Sequence, residues 1–300
     1  MPLRMMSSTF RFLYPWRVET SVGLRQHLLT IAVTGSSRVI LLRDRLLRRI
    51  PWDGRMETAG PGVSRHLIHS GKNLLDGVLV RPHGQTPQAS VLICHGIGET
   101  LKHWLVVQQM LAGCGVASLV FDYSGYGRST GWFNARQAEL DAVSAFHCLE
   151  QLTSPLPISV LGLSLGSGIA AAIVTAVPAH RLVLCAGFTS LREAAVSVGI
   201  PRLFALATPP IWKAEESLRA CTVPVLIVHG EKDPLFSVRM AAELQSFCQS
   251  PARLVIVPGA SHNDPFYLPQ LSYWGEIVAR FLAQDETEFS VTSIPPARDL

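Results

Sequence analysis

Ser164 stands between two glycines in Gly162-Leu163-Ser164-Leu165-Gly166, a G-x-S-x-G spacing whose residue types suit nucleophilic chemistry. A serine hydroxyl is too weakly acidic to attack a carbonyl unaided. It needs a base within hydrogen-bond reach and donors for the oxyanion that its attack creates. The β-branched run 157–161 before it, and the alanine-rich run 169–177 that ends at Pro178, predict strand, sharp turn and helix. Such a turn lifts the hydroxyl in a strained backbone region, with Gly162 and Gly166 letting strand and helix pass closely. The N–H groups of the helix then point at the reacting atoms. Residues 158–179 carry no charge and match the ~20 residues of a membrane-spanning helix, but three glycines, three serines and the closing proline favour the turn.

The elements that must position this serine are legible as alternation. Apolar runs at 74–82, 90–94, 116–121, 181–187, 223–229 and 253–257 read as strands, and 74–82 has the cast of an antiparallel edge strand. Helical segments fall at 101–111, 135–152 and 268–282. Strands alternating with helices predict an α/β domain built on a mostly parallel, doubly wound sheet. Ligands meet such a sheet at the carboxyl ends of its strands, so only loops just after strands are admissible for chemistry.

Two such loops carry the missing partners: Gly230-Glu231-Lys232-Asp233-Pro234, and Pro258-Gly259-Ala260-Ser261-His262-Asn263-Asp264. His262 can be neutral at pH 7, take the serine proton and return it to a leaving group. Asp233 would hold the imidazole in the right tautomer and stabilise its charged form. The amides of Ile97 and Leu165 are the expected oxyanion donors. Glu231 is the substitute for Asp233, and Asp264 sits in the loop that presents His262. His229 falls inside a strand and reads as core; His95 reads as a residue that orders its loop. The order Ser164, Asp233, His262 is the one that a G-x-S-x-G enzyme of this sheet type requires.

Length and charge set the remaining bounds. Three hundred residues with 48% hydrophobic content suffice for one large domain and an extension, and a charged fraction of 16% argues against disorder or a nucleic-acid-coating surface. The net charge of +4 is uneven. Residues 1–60 hold ten Arg against four acids, a net of +6, and the remainder is −2. Within them 37–50 has helical periodicity, with Val39, Leu42, Leu46 and Ile50 on one stripe among arginines. Such a helix lies on an anionic membrane surface or docks on its own domain. The N-terminal residues lack the long apolar core of an export signal. Six scattered cysteines without C-x-x-C or Cys/His spacing predict no metal site and a reducing, cytoplasmic compartment, with a membrane surface as a peripheral location. The polar stretch 285–300, with Pro295-Pro296, is expected to be disordered.

Taken as a set, His95-Gly96-Ile97-Gly98, the loop 121–129, Gly162 to Gly166, Gly230 to Asp233 and Gly259 to Asn263 resemble successive signatures of the α/β-hydrolase superfamily. The likeness runs over about residues 65–284 and is nearest to serine-aminopeptidase-like, monoacylglycerol-lipase-like and depalmitoylase-like hydrolases. It implies Ser164 as nucleophile, Asp233 and His262 as partners, Ile97 and Leu165 as oxyanion donors, and no cofactor. Many such relatives have His before the nucleophile, where this chain has Leu163. The resemblance places a hydrolase domain over 65–284 with a short lid at 188–213 and leaves the basic extension over 1–64 and the polar tail outside it. The lid is apolar in cast, through Val196, Val198, Ile200, Leu203, Phe204, Leu206 and Ile211. The expected substrate is a small-molecule or lipid ester or thioester with an apolar acyl part. An aminopeptidase or amidase of the same fold, and a non-catalytic binding protein, are the alternatives.

Overall fold

A computed structural model describes residues 60–264 and 272–283. The expected basic helix over 37–50 and the tail 285–300 lie outside the described residues. Among the described residues eight strands form one sheet: β1 (Val63–Ser70), β2 (Asn73–Val80), β3 (Ala89–Cys94), β4 (Val116–Phe121), β5 (Ile158–Leu163), β6 (Leu182–Cys185), β7 (Val225–Gly230) and β8 (Ala252–Val257). Their spatial order is β1-β2-β4-β3-β5-β6-β7-β8. β2 pairs antiparallel with β1 and β4, and every other neighbouring pair is parallel. From β3 the chain moves outward to β4, then crosses back to place β5 on the other side of β3. That reversal opens a crevice beyond the carboxyl ends of β3 and β5.

Strands β3 to β7 are buried along their whole length, as continuous apolar runs in a parallel sheet must be when helices cover both faces. On one face lies α1 (Leu101–Gly113), whose Trp104 meets Trp274 edge-on at 5.8 Å. Trp274 belongs to a π-helical stretch, Ser272–Ala279, inside the expected closing helix. The opposite face is covered by α2 (Ala135–Thr153) and α3 (Leu165–Ile173), which bury Phe146, Leu149 and Ile169 in the second core. Between β6 and β7 run α4 (Leu191–Ser197), α5 (Arg202–Ala205) and α6 (Ala214–Ala220); α7 (Val238–Phe247) joins β7 to β8.

Two expectations need correction. The edge of the sheet is β1 (from Val63), not the strand at 74–82, which is the second strand. Only Ile68 and Ser70 of β1 are buried, and Leu67 is 62% exposed, so the run lacks the apolar density by which its neighbours are recognised. Its attachment is polar: Arg65 holds the buried Asp76 of β2 through two hydrogen bonds, at 2.6 and 3.0 Å. Secondly, α3 starts at Leu165, four residues earlier than the alanine run suggests. Gly166 and Gly168 read as turn residues in sequence; here they sit within the helix because neighbouring atoms leave no room for a side chain. In the segment expected as a lid, Ile200 and Ala205 are buried, whereas Leu203, Phe204 and Leu206 face outward.

Candidate active site

The crevice is lined by four loops, and the first of them is the turn from β5 into α3. Ser164 adopts φ 51° and ψ −117°, a region that a residue with a β-carbon occupies only where its surroundings compel it. The compulsion is close packing. A β-carbon on Gly162 would lie 2.2 Å from the Gly166 carbonyl oxygen, and one on Gly166 would lie 1.9 Å from that of Cys94. The first turn of α3 is therefore pressed against the ends of both β5 and β3. The Ser164 amide donates to the Cys185 carbonyl at 3.0 Å, and the Ser167 hydroxyl donates to the Ser164 carbonyl at 2.6 Å. These bonds fix the turn at both ends, leaving the Ser164 hydroxyl to face the crevice.

Asp233 comes from the turn after β7 and divides its carboxylate between two tasks. Oδ1 accepts from the Leu235 and Phe236 amides at 2.8 and 2.9 Å, which shapes the turn. Oδ2 accepts from His262 Nδ1 at 2.7 Å. Burial opposes ionisation of this carboxyl more than any other single influence. The hydrogen bond and charge of His262, the Phe236 amide and His229 together outweigh it and hold the group below its ordinary value. His262 comes from the loop after β8, with its ring edge-on to Phe236 at 5.2 Å and its Nε2 2.9 Å from Ser164 Oγ. A carboxylate only accepts, so Nδ1 carries the proton and Nε2 is left to accept from the serine. Ser164, His262 and Asp233 form one buried hydrogen-bonded chain.

The other acids have backbone tasks. Glu231 accepts from the Gly259 amide at 2.7 Å and Asp264 from the Ser261 amide at 2.7 Å, so both brace the loop that presents His262. His229 is buried in β7, where its Nε2 donates to the Phe236 carbonyl at 2.9 Å and lies 3.5 Å from Asp233 Oδ2. Burial lowers its pKa, against the opposite pulls of the Phe236 carbonyl and Asp233. Its support of the Asp233 turn was not evident in sequence, because an apolar strand gives no sign of which turn its histidine will brace.

The loop after β3 supplies Ile97. The Glu99 amide closes a turn on the Gly96 carbonyl at 3.4 Å, with Gly98 at φ 77°. The Gly96 carbonyl also accepts from His95 Nδ1 at 2.8 Å, and burial drives the His95 pKa down to about 4, so that ring is neutral. Because the Gly96 carbonyl and the Ile97 amide share one peptide plane, tying down the oxygen fixes the direction of the N–H. Leu165 is the first residue of α3, where an amide has no acceptor within its own helix. The contact between α3 and the end of β3 brings these two segments together. Tyr123, Phe133 and Tyr126 pack beneath the loop, and the Tyr123 hydroxyl donates to the His95 carbonyl at 3.0 Å. Asp122 accepts from the Leu101 amide at 2.8 Å, which ties the 121–129 loop to the start of α1. Among the described residues no three His, Cys, Asp or Glu side chains cluster so as to hold a metal ion, and no helix is long and apolar enough to cross a membrane.

This sheet order, with a strained serine at the β5 turn and its loops at the carboxyl ends, is that of the α/β-hydrolase fold. Within it, the family model described as "Serine aminopeptidase, S33" matches residues 85–214. An uncharacterized protein of Mycobacterium tuberculosis is 31% identical over 182 residues, which cover 59% of this chain and 63% of that protein. The lysophosphatidylserine lipase ABHD12 of Macaca fascicularis is 27% identical over 231 residues, covering 67% of this chain and 57% of that one. The chain thus spans less than two thirds of the length of these relatives. A Pyrococcus furiosus esterase has the same fold, with a TM-score of 0.60 at 18% identity over 73% of this chain and 90% of that one. So does a dienelactone hydrolase from Anabaena variabilis, with a TM-score of 0.53 at 23% identity over 74% and 96% of the two chains.

Proposed function

We propose that the chain is a serine hydrolase that cleaves carboxylic esters or acyl thioesters with an apolar acyl group through an acyl-enzyme on Ser164. The observation that carries this reading is the unbroken chain of hydrogen bonds from Ser164 Oγ through His262 to Asp233. As Oγ attacks the substrate carbonyl, its proton passes to His262 Nε2, and Asp233 stabilises the imidazolium that results. The carbonyl π pair moves onto oxygen, where the Ile97 and Leu165 amides receive the charge; one such donor is worth about 3 to 4 kcal/mol in comparable enzymes. Collapse of the tetrahedral species expels the alkoxide or thiolate, which takes the proton from His262 and leaves the acyl group on serine. A water then gives its proton to His262, attacks the acyl carbonyl and releases the acid, and serine recovers its proton.

An ester or thioester with an apolar acyl part suits the surroundings, which include Phe188, Phe236 and Leu163. The relative from Macaca fascicularis is by name a lysophosphatidylserine lipase, which agrees with a lipid ester. The S33 likeness raises an aminopeptidase as the second reading. A peptidase of that kind needs an acid to receive a free amino terminus. Glu215 and Glu216, the acids beside the cap segment, are already paired with Arg219 and Lys213 of their own helix region at 3.0 and 2.6 Å. That pairing favours the esterase. The test is a p-nitrophenyl ester series from short to long acyl chains, run beside Ser164→Ala. We expect a chain-length optimum, and a loss of turnover in the variant on the order of 10⁴ to 10⁶. A variant that keeps more than a tenth of the wild-type rate sinks the proposal.

A further inference from the structure

The loop after β3 holds a buried carboxylate that the reaction above does not use. Glu99 folds back on its own loop, 7% exposed, with Oε2 accepting from the Gly96 amide at 2.7 Å and from Trp104 Nε1 at 3.1 Å. A β-carbon on Gly96 would lie 3.1 to 3.2 Å from the carboxyl atoms, so the absence of a side chain there lets the carboxylate lie against the backbone. Trp104 is a fixed reference, being fully buried in α1 against Trp274. Both peptide planes that meet at Gly96 are therefore held. Glu99 Oε2 secures the Gly96 N–H, and the Glu99 amide together with His95 secures the Gly96 carbonyl.

Burying a charge where a neutral side chain could fill the space is costly unless the charge is used. Burial pushes the Glu99 pKa up to about 7, against the pull of the Gly96 amide, the Trp104 indole and the charge of His262. The titratable groups that face it are His262, from the loop after β8, and the Tyr123 phenol, from the loop after β4; His95 and His103 flank it along its own segment. The carboxylate is thus within electrostatic reach of the ring that becomes an imidazolium during turnover.

We propose that Glu99 is the positioning residue of the oxyanion loop: by clamping the Gly96 amide to Trp104 it keeps the Ile97 amide aimed at the reacting carbonyl. This rests on the reading of Ser164 as nucleophile and Ile97 as oxyanion donor. Gly96 has no side chain to restrict its rotation, so once the carboxylate releases the Gly96 N–H, the Gly96-Ile97 peptide rests on the His95 and Glu99 amide bonds alone and can turn its N–H away. Glutamine preserves the clamp without the charge, because both donors meet the same oxygen.

The test compares Glu99→Ala and Glu99→Gln with wild type and Ser164→Ala, using the best p-nitrophenyl ester and the rate of fluorophosphonate labelling. For Glu99→Ala, we expect kcat and the labelling rate to fall by about 10² to 10³, the cost of a lost oxyanion donor, while KM stays within about threefold. Glu99→Gln should restore the rate at neutral pH to within about tenfold of wild type. Its kcat/KM should also fall more gently on the acid side, because one ionisation is gone. If Glu99→Ala does not fold, the rate and pH profile of Glu99→Gln decide the matter alone. Wild-type activity in the alanine variant, a glutamine variant as poor as alanine, or glutamine and wild-type pH profiles that superimpose would each overturn the proposal. These failures are separable from failure of the hydrolase reading, which would show as activity or labelling that survives Ser164→Ala.

Discussion

Asp233 illustrates how one residue can serve structure and chemistry together. One carboxylate oxygen closes its own turn on two amides, and the other meets His262. An asparagine can keep the first task, with its single carbonyl turned to Leu235 and Phe236. It then presents an amino group to His262 Nδ1, which also carries a proton, and the two donors repel. The ring must take the other tautomer, leaving a proton on the nitrogen that faces serine. We therefore expect Asp233→Asn to fold and to lose about 10⁴ in kcat, as the same change does in other Ser-His-Asp enzymes. Circular dichroism and ester turnover read the two tasks separately. A variant within tenfold of wild type would place the support of His262 elsewhere, with Glu231 as the next carboxylate in the same turn.

At the scale of elements, the β5-α3 turn is set by two glycines whose roles differ. Gly162 makes room for α3 against its own strand, and Gly166 makes room against β3. In Gly166→Ala the new carbon meets backbone oxygens of Cys94 and His95, which cannot move without opening the sheet. The expected cost is at least about 3 kcal/mol, a fall in Tm of roughly 10 °C for a domain of this size. A melting curve within about 2 °C of wild type would show that α3 can shift away from β3. Much of this element was legible in sequence because G-x-S-x-G between an apolar run and an alanine run has few ways to fold. β1 was not, since its polar Arg65, His66 and His69 leave it few apolar residues, and the strand is held by β2 across a hairpin and by Asp76 rather than by apolar burial. Likewise the bonds of Glu99 to Gly96 and Trp104, and of His229 to Phe236, are close in sequence but depend on the path of turns that the pattern of residue types does not specify.

The whole molecule holds several ionisable groups away from water, and together they set how its stability responds to pH. Burial pushes Asp122 from an ordinary 3.8 up to about 8, against the Leu101 amide, with Asp76 adding to the rise; Glu99 rises from 4.5 to about 7. For both, the folded chain binds a proton that the unfolded chain has lost, so their stabilising contribution fades as pH climbs toward the folded value. His95 has the opposite sign: burial takes it from 6.5 to about 4, so the folded chain binds fewer protons and stability rises with pH up to about 6.5. The two effects oppose each other below pH 6.5, and above it only the carboxyls remain. We expect the free energy of unfolding to fall by about 1 to 2 kcal/mol between pH 6.5 and 8, and this slope to flatten in Asp122→Asn. Denaturant titrations at fixed pH values measure it, and a stability that holds level or rises over that range would contradict the assignment.

The most direct measurement of the central claim is fluorophosphonate labelling of the intact protein, followed by mass mapping of the adduct. A nucleophile activated by His262 should give one adduct on Ser164, absent in Ser164→Ala and slowed by orders of magnitude in His262→Ala. No adduct on folded wild-type protein, or an adduct on another residue that persists in Ser164→Ala, would contradict it.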